Sequence, residues 1–254
     1  MIEVMLFLSI TGLLLVGVLG GTYASIATQR YNDSVRSFAE YLRQIYGEVI
    51  SPETQGGGNS DDFAIYGKVA VFGLNSQNSA DDEDIDNTIY MATLVGDVHI
   101  NGTNADFIAE LQSVHARIYC GVMQSAGNPE DTESTLSSYV PLWNSKLRGI
   151  DKKPFTGTVI ISRAPSSGMV HTAYTEETFN IRDECEPGND AASTAFSSYL
   201  AANPGNFSAT SDIDFCIWSN NSTVVRDIRL APDGRNTSAV SIIEDNPGES
   251  RCSR

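Results

Sequence analysis

Val4–Leu19 reads VMLFLSITGLLLVGVL, and GGTYASIAT carries the run on to Thr28. Only Ser9, Thr11, Gly12 and Gly17 interrupt the first stretch. About 25 weakly polar residues in a row are enough to cross a hydrocarbon layer of about 30 Å as a helix. The apolar part is too long for a secretory signal, no Lys or Arg stands before it, and no small-residue cleavage site closes it. Arg30, Arg36 and Arg43 lie after it. The positive-inside bias therefore places the rest of the chain in the cytoplasm, unless a basic leader has been removed.

After Arg30 the pattern changes without a break. Val35, Phe38, Leu42, Ile45 and Val49 fall at steps of three, four, three and four, the stripe of a single helix face. Asp33, Arg36, Glu40, Arg43 and Glu48 lie between them, and the first proline is Pro52. One helix is expected from about residue 3 to 50, roughly 70 Å long at 1.5 Å per residue. Its first half is apolar all round and its second half on one side only. Gly12, Gly17, Gly20 and Gly21 weaken it, each by about 0.8–1 kcal/mol relative to Ala. In lipid they offer a close-packing face; in a protein assembly the Gly20-Gly21 pair is a natural place to unwind. Glu3 is chemically out of place. A carboxylate at mid-bilayer costs about 2.5–3.5 kcal/mol on insertion scales, so it needs a partner or an escape to the interface.

MIEVMLFLSITGLLLVGVL resembles the N-terminus of bacterial type IV pilins and type II secretion pseudopilins. Ile2-Glu3-Val4 matches the family's tag, residues 4–28 its apolar half-helix, and the stripe from Val35 to Val49 the half that packs on a head. The likeness covers about the first fifty residues. It implies a leader and about two mature residues ahead of Met1, an N-methylated terminus, and processing by a prepilin peptidase. It also implies an assembly platform in the membrane and a helical polymer of this chain or related pilins. The core of that polymer would use Ile2, Val4, Leu6, Phe7, Leu8, Ile10, Leu13, Leu14, Leu15 and Val16. Glu3 would set subunit register by attracting the terminal amine of a neighbour, an attraction strengthened by the low local dielectric.

Residues 51–62, SPETQGGGNSDD, read as a breaker-rich link between the helix (1–50) and a head (51–254). Strands are expected at 63–74 and 89–100, either side of an acidic loop, and a helix at 106–118 with a cap at Asn104 or Asp106. Residues 157–162 and 169–175 suggest a hairpin across RAPSSG, and 192–202 a short helix ended by Asn203-Pro204. The tail offers strands at 213–219, 222–230 and 237–244, spaced as an antiparallel meander. The expected fold is α+β, a long N-terminal helix laid on an antiparallel sheet with extra helices.

The 254 residues carry 16 basic and 32 acidic groups, a net charge of −16, with 8 basic and 23 acidic between residues 51 and 214. A head so acidic argues against broad-face nucleic-acid binding. Cys120, Cys185, Cys216 and Cys252 allow three pairings and have no zinc or redox spacing. The resemblance favours closure of a C-terminal loop by Cys216–Cys252, which leaves Cys120–Cys185. Asp82, Asp84 and Asp86 alternate as weak calcium candidates. The EF-hand pattern fails because Asn87 stands where Gly is needed and Thr93 where Glu is needed. His99, His115 and His171 are isolated, and the six Asn-x-Ser/Thr triplets fit chance in a chain so rich in these residues. No nucleophile elbow, Walker loop or dinucleotide fingerprint occurs. The expectation is a non-enzymatic pilus subunit without cofactor, held in the cytoplasmic membrane before assembly and then at the cell surface, for motility or attachment. The alternatives are a pseudopilin and a membrane-tethered adhesin or receptor that never polymerises.

Overall fold

The computed structural model describes residues 2–50, 63–74, 87–97, 106–119, 122–124, 132–134, 136–185, 192–193, 195–203, 205–208, 211–219, 225–232, 237–243 and 251–252. The acidic loop with Asp82, Asp84 and Asp86, the whole link 51–62 after α1, His99, Cys120 and Pro204 lie outside them.

Helix α1 spans Ile2–Ile50 without interruption. The head continues as β1 (Phe63–Phe72), β2 (Ile89–Asp97), α2 (Phe107–Ser113), β3 (Arg117–Tyr119), β4 (Val122–Gln124), β5 (Thr132–Ser134), β6 (Ser137–Tyr139) and β7 (Lys146–Arg148). Then come β8 (Gly157–Arg163), β9 (Val170–Thr175), α3 (Ile181–Glu184), β10 (Ala192–Ser193), α4 (Ala195–Ala202), β11 (Ile213–Trp218), β12 (Arg226–Leu230) and β13 (Val240–Ile243). The architecture is α+β with antiparallel sheets.

The described strands form two sheets of consequence. The larger runs β10-β3-β2-β1-β8-β9, with β6 also on β2; the smaller runs β13-β12-β11-β7. The tail meander is therefore present, but it is a sheet of its own rather than an extension of the first. Strand alternation explains why a second sheet is needed. In β1, Ala70 and Phe72 point to the core around α1, while Val69 and Val71 point to the opposite core. Val69 pairs with Ala92 and Ile160, and Ile160 with Ala173, so one apolar row crosses four strands on that far face. Helices α2, α3 and α4 bury that row. On the near face, the second half of α1 lies between the two sheets and packs against Val159 and Ile161 of one and Phe215, Ile217 and Ile228 of the other.

Phe215 is the hub of this core. Its ring centroid lies 5.4 Å from that of Phe38 on α1, 5.3 Å from that of Phe72 on β1 and 4.6 Å from that of Phe155. Gly67 is required where β1 bulges between Ile65 and Gly67. A Cβ there would stand 2.2 Å from the Ile161 carbonyl oxygen, so β8 approaches too closely for any side chain.

Two helices are shorter than their spacing suggests. α2 is capped by Asp106, whose carboxylate accepts the Ile108 N–H at 3.0 Å. It stops at Ser113, and His115 at φ 47° turns the chain so that Ile118 enters β3 opposite Leu94. Likewise Ala192 and Ser193 pair with Tyr119 and Ile118, and α4 begins only at Ala195. In both places sheet-edge pairing competes with helical spacing and wins.

Candidate assembly surface on the first half of α1

Burial divides α1 sharply. From residue 2 to residue 30 every position but the half-buried Ala27 is exposed; from Tyr31 on, one face is buried. Ile2, Val4, Leu6, Phe7, Leu8, Ile10, Leu13, Leu14, Leu15 and Val16 each expose between 54% and 83% of their surface. So large a contiguous apolar surface is rare on a monomer in water and is suited to contact with lipid or with other apolar helices. Residues 4–29 hold no charged side chain. Glu3 is exposed at one end of that neutral length and Arg30 at the other, about 40 Å apart at 1.5 Å per residue. By length and composition this helix can cross a membrane, with a mean hydropathy of 2.4 over its most apolar window.

Four hydroxyls along this half are satisfied within it. The hydroxyls of Ser9 and Thr22 donate to Met5 and Val18 carbonyls at 2.8 and 3.0 Å, Thr28 donates to Ala24 at 3.0 Å, and Thr11 donates to Phe7. Bonds to the carbonyl four residues back let such side chains sit in a dry environment without an unmet donor. Gly12, Gly17, Gly20 and Gly21 lie inside the continuous helix, and nothing stands within 4 Å of a Cβ built on any of them.

The second half of α1 is cross-linked into the head. Val35, Phe38, Leu42, Ile45 and Val49 are all at most 3% exposed. Tyr31 donates to the Ile217 carbonyl at 3.0 Å on the small sheet. Tyr46 meets the Thr172 hydroxyl of β9 and donates to the Ala231 carbonyl at 3.3 Å, so one phenol touches both sheets. Outside the core, Lys68 on β1 pairs with Glu48 at 3.3 Å, and Arg43 donates to the Val240 carbonyl at 3.3 Å. Sequence reasoning missed Tyr31 and Tyr46. The signal for Tyr31 was present, since it lies four residues before Val35 and extends the stripe by one step.

Cys216 and Cys252 form a disulfide with a Cα–Cα distance of 5.5 Å, and it carries the tail onto the outer face of β11 and β12. Cys185 is also disulfide-bonded; Cys120 lies outside the described residues. On the same outer face, the fully buried carboxylate of Asp214 accepts from Arg229 at 2.6 Å and Arg251 at 3.0 Å. The buried Asp227 accepts the Arg251 N–H at 3.1 Å. This network fastens the tail. His115 pairs with Asp97 at 2.9 Å on the surface, and His171 packs against the Phe107 ring. Among the described residues, no three of His, Cys, Asp and Glu gather as a metal site.

No family model matches the chain, and no curated protein or solved structure matches it.

Proposed function

We propose that this chain is a structural subunit of an extracellular type IV pilus, held in the cytoplasmic membrane by the first half of α1 and polymerised through it, for motility or attachment. One observation carries the reading: an uncharged, predominantly apolar half-helix with a single carboxylate at its tip is continuous with a half-helix embedded in a head. A simple anchor needs neither the carboxylate nor such rigid continuity. A subunit delivered from lipid into a bundle of its own copies uses both. Apolar side chains exchange lipid for neighbouring helices, with close packing at Gly12, Gly17, Gly20 and Gly21. Glu3, costly in an apolar medium, is compensated only when a cation of a neighbouring copy reaches it, which fixes the axial step. The role is structural, with partners that are copies of itself or related pilins, an assembly platform and a prepilin peptidase.

The test substitutes Glu3→Gln and Glu3→Ala and measures membrane-inserted chain and sheared filaments separately. Insertion and head folding are expected to stay at wild-type level while filament yield falls at least about tenfold. Unchanged filament yield, or no filament from the wild type, favours a tethered adhesin or receptor instead.

A further inference from the structure

Val140, Leu142 and Trp143 expose 58%, 44% and 53% of their surfaces at the end of the head from which the apolar half of α1 emerges. The chain there descends along α1. Tyr139 stacks on Tyr41 with centroids 4.2 Å apart, and four residues later the Trp143 ring lies under the Arg30 guanidinium, 4.8 Å from ring centroid to Cζ. Trp143 and Asn144 both hold left-handed backbone, at φ 57° and 55°. A bulky residue rarely takes that conformation, and here it keeps the indole at the level of Arg30.

From Val4 to Ile26 the apolar run is about 34 Å at 1.5 Å per residue, close to one hydrocarbon thickness. Arg30 is four residues further on, about 6 Å beyond its end, within a headgroup layer of about 5–7 Å on each side. We infer that Val140, Leu142 and Trp143 form a membrane-seating surface, with the Trp143 indole and the Arg30 guanidinium lodged in the phospholipid headgroup layer of the bilayer that α1 crosses. This rests on the membrane-held stage of the proposed function. An indole has an apolar body and one N–H donor, which suits that layer, and Arg30 supplies the cation for lipid phosphate. The surface is continuous with the membrane helix, so lipid is the occupant already at hand. The net charge of −16 keeps the rest of the head from adhering broadly to an anionic surface. Seating would hold the head at a set height and tilt before extraction.

The test reconstitutes the full chain in phosphatidylcholine vesicles carrying a nitroxide on the headgroup, at acyl carbon 5 or at acyl carbon 12. Trp218→Phe leaves Trp143 as the sole tryptophan; Trp143→Phe leaves Trp218 as a control in the head. Carbonate extraction is run in parallel. Trp143 is expected to lose at least about half its emission with the headgroup or carbon-5 label and much less with carbon 12, and to be quenched more than Trp218, which stands on β11 opposite Lys146. A chain retained after carbonate with Trp143 unquenched overturns the seating surface and leaves the membrane reading intact. A chain released by carbonate fails the membrane reading itself. Blue-shifted, unquenched Trp143 emission that grows with protein density assigns the patch to a second copy and also overturns the proposal. Should Trp218→Phe impair folding, the wild-type minus Trp143→Phe difference gives the same quenching.

Discussion

The Tyr31 hydroxyl donates to the Ile217 carbonyl at 3.0 Å, and that bond marks where α1 enters the head. Tyr31 is the first buried residue of the helix, and Ile217 lies on the innermost face of the small sheet. Tyr31→Phe removes one buried bond and leaves a carbonyl without that donor. A loss of about 1 kcal/mol in head stability is expected from urea unfolding of the detergent-solubilised chain. An unaltered midpoint would mean that water takes over the carbonyl.

Phe38 is wholly buried between the two sheets. Truncation to Ala opens a cavity that Phe215, held by Phe72 and Phe155, is poorly placed to fill. A cost of about 3–5 kcal/mol is expected, read as a lowered unfolding midpoint with far-UV helicity of the apolar half retained. A cost below about 1 kcal/mol would show that the core repacks.

Replacing both Cys216 and Cys252 by Ser releases a loop with a sequence separation of 36. The expected cost is about 2–4 kcal/mol. It should come with fast hydrogen exchange at the Arg251 amide, because the tail that seats Arg251 on Asp214 and Asp227 is no longer tied down. Slow exchange in the double-serine variant would credit the ion pairs alone with holding the tail.

Burial pushes the Asp227 carboxyl above the ordinary carboxylate range, and nearby Asp214 adds to this; the Arg251 N–H and the Arg229 and Arg251 charges oppose it. With the folded value above the unfolded one, the stability this group contributes is fully present below the unfolded value and is lost as pH rises through the folded value. Asp227→Asn removes that dependence. The melting temperature of the variant minus that of the wild type should therefore rise as pH increases from about 3.5 through this window, then level off. A difference that falls with pH would mean that the arginines dominate.

Gly67→Ala places a methyl group against backbone rather than against a side chain that can move away. About 1–3 kcal/mol of destabilisation is expected, or more if the β1 bulge cannot shift. Equal stability by thermal melting would show that β1 and β8 can separate at that point.

The halves of α1 were legible from residue types alone, because a helix imposes its period on whichever face is to be buried: Val35, Phe38, Leu42, Ile45 and Val49 at steps of three and four, and an unbroken neutral run before them. The strands at Phe63–Phe72, Ile89–Asp97, Gly157–Arg163 and Val170–Thr175 were legible for a similar local reason, long β-rich segments bounded by turn residues. Short edge strands were not. Arg117–Tyr119 and Ala192–Ser193 have too few residues to show a period; the first exists because it pairs with Ile89–Asp97, and the second because it pairs with the first. Tertiary structure alone decided that the C-terminal meander forms a second sheet over α1, that Tyr46 ties both sheets together, and that Trp143 stands beside Arg30. Each of these joins residues roughly a hundred or more positions apart, and local sequence carries periodicity and propensity but not the non-local distances that closing the chain creates.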